Sequence, residues 1–406
     1  MPTLHVRWGS VQEELSDAEV LFGWKFIQGE FSLTGPRPLL REMHGSNPGR
    51  KEDGMKFGLF YEIPCAANQS PSQRYEETLA QIELADELGF GTAWLAELHF
   101  HRPLSIMSAP LLVAAALARR TRRIRLGIAV NVLPLHHPIR CAEETATLDV
   151  LSGGRMEFGA GRGALAMHFE GFNIPQDEAG ERFLEGLEIV KKAWTEEEFS
   201  YQGKYFTISA LSVVPKPVQQ PHPPIRVASN SPETFQRMGQ LGYPIFATPV
   251  IVPMEGLRQG IATYREGLIQ HGNKLDGDGH ELSFMLPVYA APRAAEGRSV
   301  PEASIMHYYR VLADLEQHPS TQRAIAANPH VKEFLARFAR MTYDQVDNTI
   351  AAYGDPKRCL DRLQALREEF HLGEVVCWFN TGGLIAHPQV MDAMRLFADK
   401  VMPYVG

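Results

Sequence analysis

From residue 55 to residue 401 the chain repeats one pattern eight times: a short apolar run suited to a buried strand, then a longer segment with apolar residues at helical spacing. Lys56–Tyr61 reads as the first strand. A helix from about Gln73 to Leu88 follows, with Leu79, Ile82, Ala85 and Leu88 on one face and Gly89 as its stop. Thr92–Ala96 and Ile124–Val130 read as strands two and three, followed by helices over about 109–120 and 138–151. Met156, Phe158 and Ala160 mark strand four, and its helix carries Phe183, Leu187, Val190 and Trp194 on one face. Strands are then expected at Ile225–Ala228, Ile245–Ala247, Ser283–Tyr289 and Val375–Phe379, with helices near 234–241, 257–269, 356–369 and 389–401. This alternation over about 350 residues predicts an α/β chain closed into a (β/α)8 TIM barrel. An open doubly wound sheet of that length would be expected to split into two domains.

Two segments fall outside the repeat. Residues 1–54 end in the linker-like run Gly45–Gly54, so they read as an N-terminal extension outside the core, with the barrel domain over 55–406. Residues from about 294 to 352 read as a helical insertion between strand seven and helix seven. An insertion on that side of a barrel is placed to form a lid, because barrel active sites are built from the loops after the strands.

Composition removes several function classes. No apolar run is long enough to cross a bilayer, and the first residues lack a signal-peptide pattern. Cys65, Cys141, Cys359 and Cys377 are scattered without paired spacing, which suits reduced thiols in a cytoplasmic protein. A net charge of −8 without a basic cluster argues against nucleic acid.

The chemistry is expected at the strand ends. Strand four runs into Gly159-Ala-Gly161-Arg162-Gly163, where glycines leave backbone amides uncovered beside one guanidinium. Free amides plus an arginine make a phosphate site. The same residues satisfy a dinucleotide fingerprint, but that motif belongs after a first strand, and three strand–helix units precede it here. After strand five, Ser229-Asn230-Ser231-Pro232-Glu233 resembles a helix start, with the cap at Asn230 or Ser231. Alone it is an ordinary cap; next to Arg162 it becomes a second half of an anion site. Glu97, His99 and His101 follow strand two, and His136 and His137 follow strand three. These histidines allow a metal-dependent hydrolase, but Ala228, Ala247 and Phe379 stand where later strands would have to add ligands. No metal is therefore expected.

Trp94-Leu-Ala-Glu97-Leu98-His99-Phe100, Gly127–Pro134 with His137-Pro-Ile-Arg140, and Phe158-Gly-Ala-Gly-Arg162-Gly resemble the bacterial luciferase family of flavin-dependent monooxygenases. Glu170-Gly-Phe172, Ala193-Trp194, Gly203-Lys-Tyr205 and the ending Met394–Pro403 extend the likeness in collinear order from about Met55 to Val405. The resemblance implies reduced FMN and O2 acting on a mostly apolar organic substrate. It implies that Arg162 with Ser229, Asn230 and Ser231 binds the FMN phosphate, and that Ala129 and Val130 form a non-proline cis peptide against the flavin ring. It also implies a non-covalent flavin, a separate flavin reductase as partner and a homodimer, with the apolar Ala109–Ala118 face a candidate contact.

The chain departs from the luciferase pattern in two places. Luciferases carry Glu-His-His-Phe after strand two, and their first histidine assists as a base. Leu98 stands there, so light emission by that route is not expected. Gly161 stands where luciferase has a cysteine near the flavin. His99 is then the expected catalytic group, with Glu97 orienting it or lining the ring pocket. The other readings are a hydride-transfer oxidoreductase using a flavin or deazaflavin on the same barrel, and a non-catalytic partner subunit, as luciferase itself pairs an active with a supporting chain. The intact Arg162 and Ser229–Ser231 features oppose the latter.

Overall fold

A computed structural model describes residues 55–273, 279 and 281–405. The extension expected over residues 1–54 lies outside the described residues. The barrel strands are β1 Lys56–Tyr61, β2 Thr92–Leu95, β3 Arg125–Val132, β4 Met156–Gly161, β5 Ile225–Ala228, β6 Ile245–Ala247, β7 Leu282–Ala290 and β8 Glu374–Trp378. All eight pair in parallel, and the pairings run in one closed ring. Leu59 sits opposite Ala93, Ala93 opposite Leu126, and Phe158 opposite Ile225. Ile245 then pairs with Leu282, Phe284 with Val375, and Val375 with Phe57, which closes the barrel.

The outer helices are α1 Pro71–Leu88, α2 Pro110–Arg120, α3 Pro138–Ser152, α4 Ala179–Thr195, α5 Pro232–Leu241, α6 Met254–Gln270, α7 Pro356–Phe370 and α8 His387–Lys400. Six of them (α1, α2, α3, α5, α7 and α8) carry proline at their first or second position, where the missing amide hydrogen would have had no helical partner. Gly89 ends α1 in the left-handed conformation, φ 86°, and its amide closes onto the Ala85 carbonyl.

Inside the barrel Trp94 is almost fully buried, edge-on to Phe246 at 4.7 Å. Its indole Nε1 donates to Glu374 Oε1 at 3.4 Å. Gly127 on β3 makes room for that ring: a Cβ there would lie 2.1 Å from it.

Three elements differ from the sequence reading. An antiparallel hairpin, Phe199–Gln202 with Thr207–Leu211, follows α4. Its strands are short and mostly exposed, so they lack the apolar signature of a barrel strand. A three-residue strand, Ala352–Gly354, extends β7 by pairing with Val288–Ala290. β3 continues to Val132, with a register shift against β4 between Ile128 and Asn131. The insertion after β7 forms helices Ala294–Asp314, Pro319–Ala327 and His330–Ala339. Arg323 and Ser320 bind the Glu170 carboxylate, and Arg337 donates to the Ile251 carbonyl, so the insertion is tied down beside the loops after β4 and β6.

Candidate flavin and substrate cavity

The strand ends open into a cavity of about 480 Å³. Its wall nearest β3 and β4 is shaped by what glycine permits. The Ala129–Val130 peptide is cis. Across from it, a Cβ on Gly159 would lie 2.0 Å from the Ile128 carbonyl oxygen, and one on Gly161 would lie 2.3 Å from Val130 Cγ2. Side chains at those positions of β4 are therefore excluded by the backbone and side chains of β3. Asn131 Nδ2 donates to the Gly159 carbonyl at 2.9 Å and links the strands where their register slips.

The two arginines of strand four have separate duties. Arg155, before the strand, donates to the carbonyls of Ser152, Ile124 and Ala118 at 2.8–2.9 Å and closes the bottom of the barrel. Arg162, after the strand, lines the cavity with its side chain 47% exposed. Its recorded ion-pair partner is Glu233, 4.0 Å away and itself 85% exposed. A pair of that spacing and exposure contributes little, which leaves the guanidinium able to take an anion.

Asn230 and Ser231 line the same cavity. Ser231 caps α5, its Oγ accepting from the Thr234 amide at 3.3 Å, and Pro232 follows as the first helical residue. Ser229 is placed differently. It is fully buried, its amide donates to the Phe246 carbonyl at 3.0 Å, and its hydroxyl has no protein partner. Arg237, one turn further along α5, also lines the cavity and escaped the sequence reading. Its position, four residues beyond the strand-end motif, was the available signal.

Glu97 lines the cavity and is 4% exposed. Its Oε1 pairs with His99 Nε2 at 2.9 Å and with His136 Nε2 at 2.7 Å, while Oε2 accepts from the Val132 amide at 2.8 Å. Burial pushes this carboxyl up, but the hydrogen bonds from His136, His99 and Val132, with the charge of His136, outweigh it and bring the pKa down to about 2. An ionised Glu97 requires both imidazole Nε2 atoms to carry hydrogen.

His99 itself does not line the cavity. Its ring packs edge-on to Phe172 at 4.9 Å and to His168 at 5.3 Å, and its backbone amide donates to His168 Nε2 at 3.1 Å. His168 does line the cavity. Burial and the nearby His99 ring push it down to about 4, so it is a neutral imidazole. Leu98 takes a place on the cavity wall between these polar groups.

The remaining wall is largely apolar and carries an aromatic group. Phe60, Trp378 and Tyr308 form a contiguous group, with Phe60 and Tyr308 each edge-on to Trp378 at 5.0 and 4.9 Å. Tyr308 and Phe334 come from the insertion, so that segment supplies part of the chamber. Glu62, directly after β1, adds a carboxyl to those of Glu97 and Glu233 on the cavity lining. It too was missed, although the end of strand one is a position that barrel logic marks. Among the described residues no group of three or more His, Cys, Asp or Glu side chains is arranged to hold a metal ion, and no helix is long and apolar enough to cross a membrane.

Comparison with known proteins places this geometry. The profile of the luciferase-like monooxygenase family matches residues 55–371. The oxygenase component of a flavin-dependent trigonelline monooxygenase from Acinetobacter baylyi is 27% identical over 360 residues, which is 86% of this chain and 95% of that one. The crystal structure of the monooxygenase RslO1 from Streptomyces bottropensis superposes with a TM-score of 0.70 at 29% identity, covering 87% of this chain and all of that one. The FMN-bound oxygenating constituent of 3,6-diketocamphane monooxygenase from Pseudomonas putida has the same TM-score at 18% identity, over 86% of this chain and 98% of that one, a likeness of fold.

Proposed function

The chain belongs to the luciferase-like monooxygenase family, and from that premise we propose that it is the oxygenase of a two-component system, taking reduced FMN from a separate reductase and oxygenating a mostly apolar organic substrate with O2. The observation that carries this reading is the weakly paired guanidinium of Arg162 at the cavity edge, beside Asn230, Ser231 and the capped start of α5. A half-exposed arginine without a strong partner, next to helix-terminal amides, fits a phosphate. Gly161 makes room for the Val130 side chain, so the cis Ala129–Val130 segment can seat on β4 and present its face to the cavity, a surface a planar ring can stack on.

In this reading Arg162, Asn230 and Ser231 hold the phosphate, and the buried Ser229 anchors the loop from beneath through its amide, which donates to the Phe246 carbonyl. Reduced FMN, when bound, supplies the electrons that activate O2. The protein's part is to position and to exclude water. Glu97 fixes the end of β3 through the Val132 amide and holds both His99 and His136 in one orientation. His99 acts through Glu97 and His168 as a positioning residue, and His168 offers a neutral imidazole to the chamber. Tyr308 and Phe334 cover the substrate end.

Anaerobic titration with reduced FMN tests the proposal. Arg162→Ala weakens binding by ~1.5–3 kcal/mol, the range for loss of a charged hydrogen-bonding partner, or roughly 10- to 150-fold in Kd. An unchanged affinity removes the phosphate assignment. Binding of a reduced deazaflavin in preference to reduced FMN, with no oxygen uptake, replaces oxygenation with hydride transfer.

A further inference from the structure

We propose that Glu62 is the hydrogen-bond donor by which this cavity selects an aromatic substrate bearing an acceptor oxygen. The proposal rests on the reading of the cavity as a flavin and substrate chamber and adds the substrate class. Glu62 stands directly after β1 and lines the cavity together with the aromatic group of Phe60, Trp378 and Tyr308. Tyr308 is 4% exposed, and its hydroxyl donates to Glu62 Oε1 at 3.3 Å. The other oxygen, Oε2, is buried without a protein partner.

Charge decides what that oxygen does. Tyr308 comes from the insertion. From α1, Arg74 lines a small cleft with Glu62 and is committed to the Pro64 carbonyl and to Glu77. From the end of β2, Glu97 lines the same cavity and is engaged by His99 and His136. From β8 the neighbours Trp378 and Asn380 are neutral. No salt bridge reaches Glu62 among the described residues. Burial pushes its pKa up to about 8, with the Tyr308 hydroxyl pulling the other way, so it is a neutral acid at pH 7. Because Tyr308 takes Oε1 as acceptor, the acid hydrogen belongs on Oε2, the oxygen with no partner. A buried donor left unmet destabilises the site, and a ligand oxygen removes that penalty. A ligand lacking the oxygen leaves it in place, which is how a polar group in an apolar site discriminates. The surrounding rings favour a flat aromatic body.

Calorimetric titration with 1-acetonaphthalene and 1-ethylnaphthalene tests this, since the two probes share a ring system and differ in the acceptor oxygen. At pH 6.5 the native chain binds the ketone tighter by roughly 2- to 12-fold, the factor one neutral hydrogen bond supplies. Glu62→Gln, which keeps an N–H donor, retains a preference; Glu62→Leu loses it. The native preference falls away above pH 8 as the acid ionises, a response that a purely space-filling residue would not give. Equal binding of the two probes, binding of neither, or a preference that survives in Glu62→Leu overturns the proposal. A parallel titration with reduced FMN keeps the two readings apart: native and Glu62→Leu chains bind it alike if the flavin site stands, and failure there counts against the cofactor reading.

Discussion

Exchanging Glu97 for glutamine takes one charge out of the cavity wall and leaves its volume almost unchanged. The carboxylate is 4% exposed and receives three hydrogen bonds. A folded pKa of about 2 against an ordinary 4.5 corresponds to ~3 kcal/mol of stability. Because the folded value is the lower one, that stability is fully present above pH 4.5 and is lost as pH falls toward 2. His136 runs the other way. Burial works against its charged form, but the hydrogen bond and charge of Glu97 raise its pKa above 6.5. Its share is therefore present below 6.5 and fades as pH rises through the folded value. The stability difference between native chain and Glu97→Gln should be bell-shaped, largest near pH 5 and smaller on either side. Urea unfolding followed by tryptophan fluorescence from pH 3 to 8.5 measures it. A difference that stays flat across that range would refute the assignment of an ionised, histidine-paired Glu97.

Other outcomes follow from the same geometry. Gly161→Ala drives a methyl to 2.3 Å from Val130 and should destabilise by ~1–3 kcal/mol, read as a lowered urea midpoint, while reduced-FMN affinity falls with it. His168→Phe removes the acceptor of the buried His99 amide and should cost ~1–3 kcal/mol; native His168, with its pKa lowered to about 4, makes the chain less stable as pH falls from 6.5 toward 4, and this portion of the acid sensitivity should vanish in the variant. A chain begun at Met55 should bind reduced FMN as the full chain does, since every cavity residue named above lies beyond it. Light scattering should give a dimer, and Leu112→Glu, on an α2 side chain that is 74% exposed, should return a monomer if that helix forms the contact.

The barrel was legible because its determinants are local. Each strand is a short run whose neighbours at both ends are punctuated by glycine, proline or charge, and each helix shows its buried stripe, as with Phe183, Leu187 and Val190 on α4. The cavity was less legible because its chemistry is made by distant pairs. Glu62 sits in an unremarked run after β1, and its partner Tyr308 is 246 residues away in the insertion. Its raised pKa comes from burial under distant segments, against the pull of the Tyr308 hydroxyl, and neither stretch of sequence announces it. His99 shows the converse. Its place after strand two marks it for chemistry, but its ring is turned onto Glu97, Phe172 and His168, behind the wall it supports. Ser229 likewise belongs to the right loop and faces inward, while Arg237 on the following helix reaches the chamber. Side-chain direction at a loop turn depends on tertiary packing, which spacing along the chain does not encode.

Gly161 and Val130 compete for the same few cubic ångströms, so the two sites form a single unit of variation. Any attempt to install at position 161 the thiol that luciferases carry there must first trim residue 130, and a bulkier residue 130 commits the chain to glycine opposite. Relatives that exchange one without the other should be rare, and a paired exchange is the shortest route by which this chamber could acquire a nucleophile beside its cofactor.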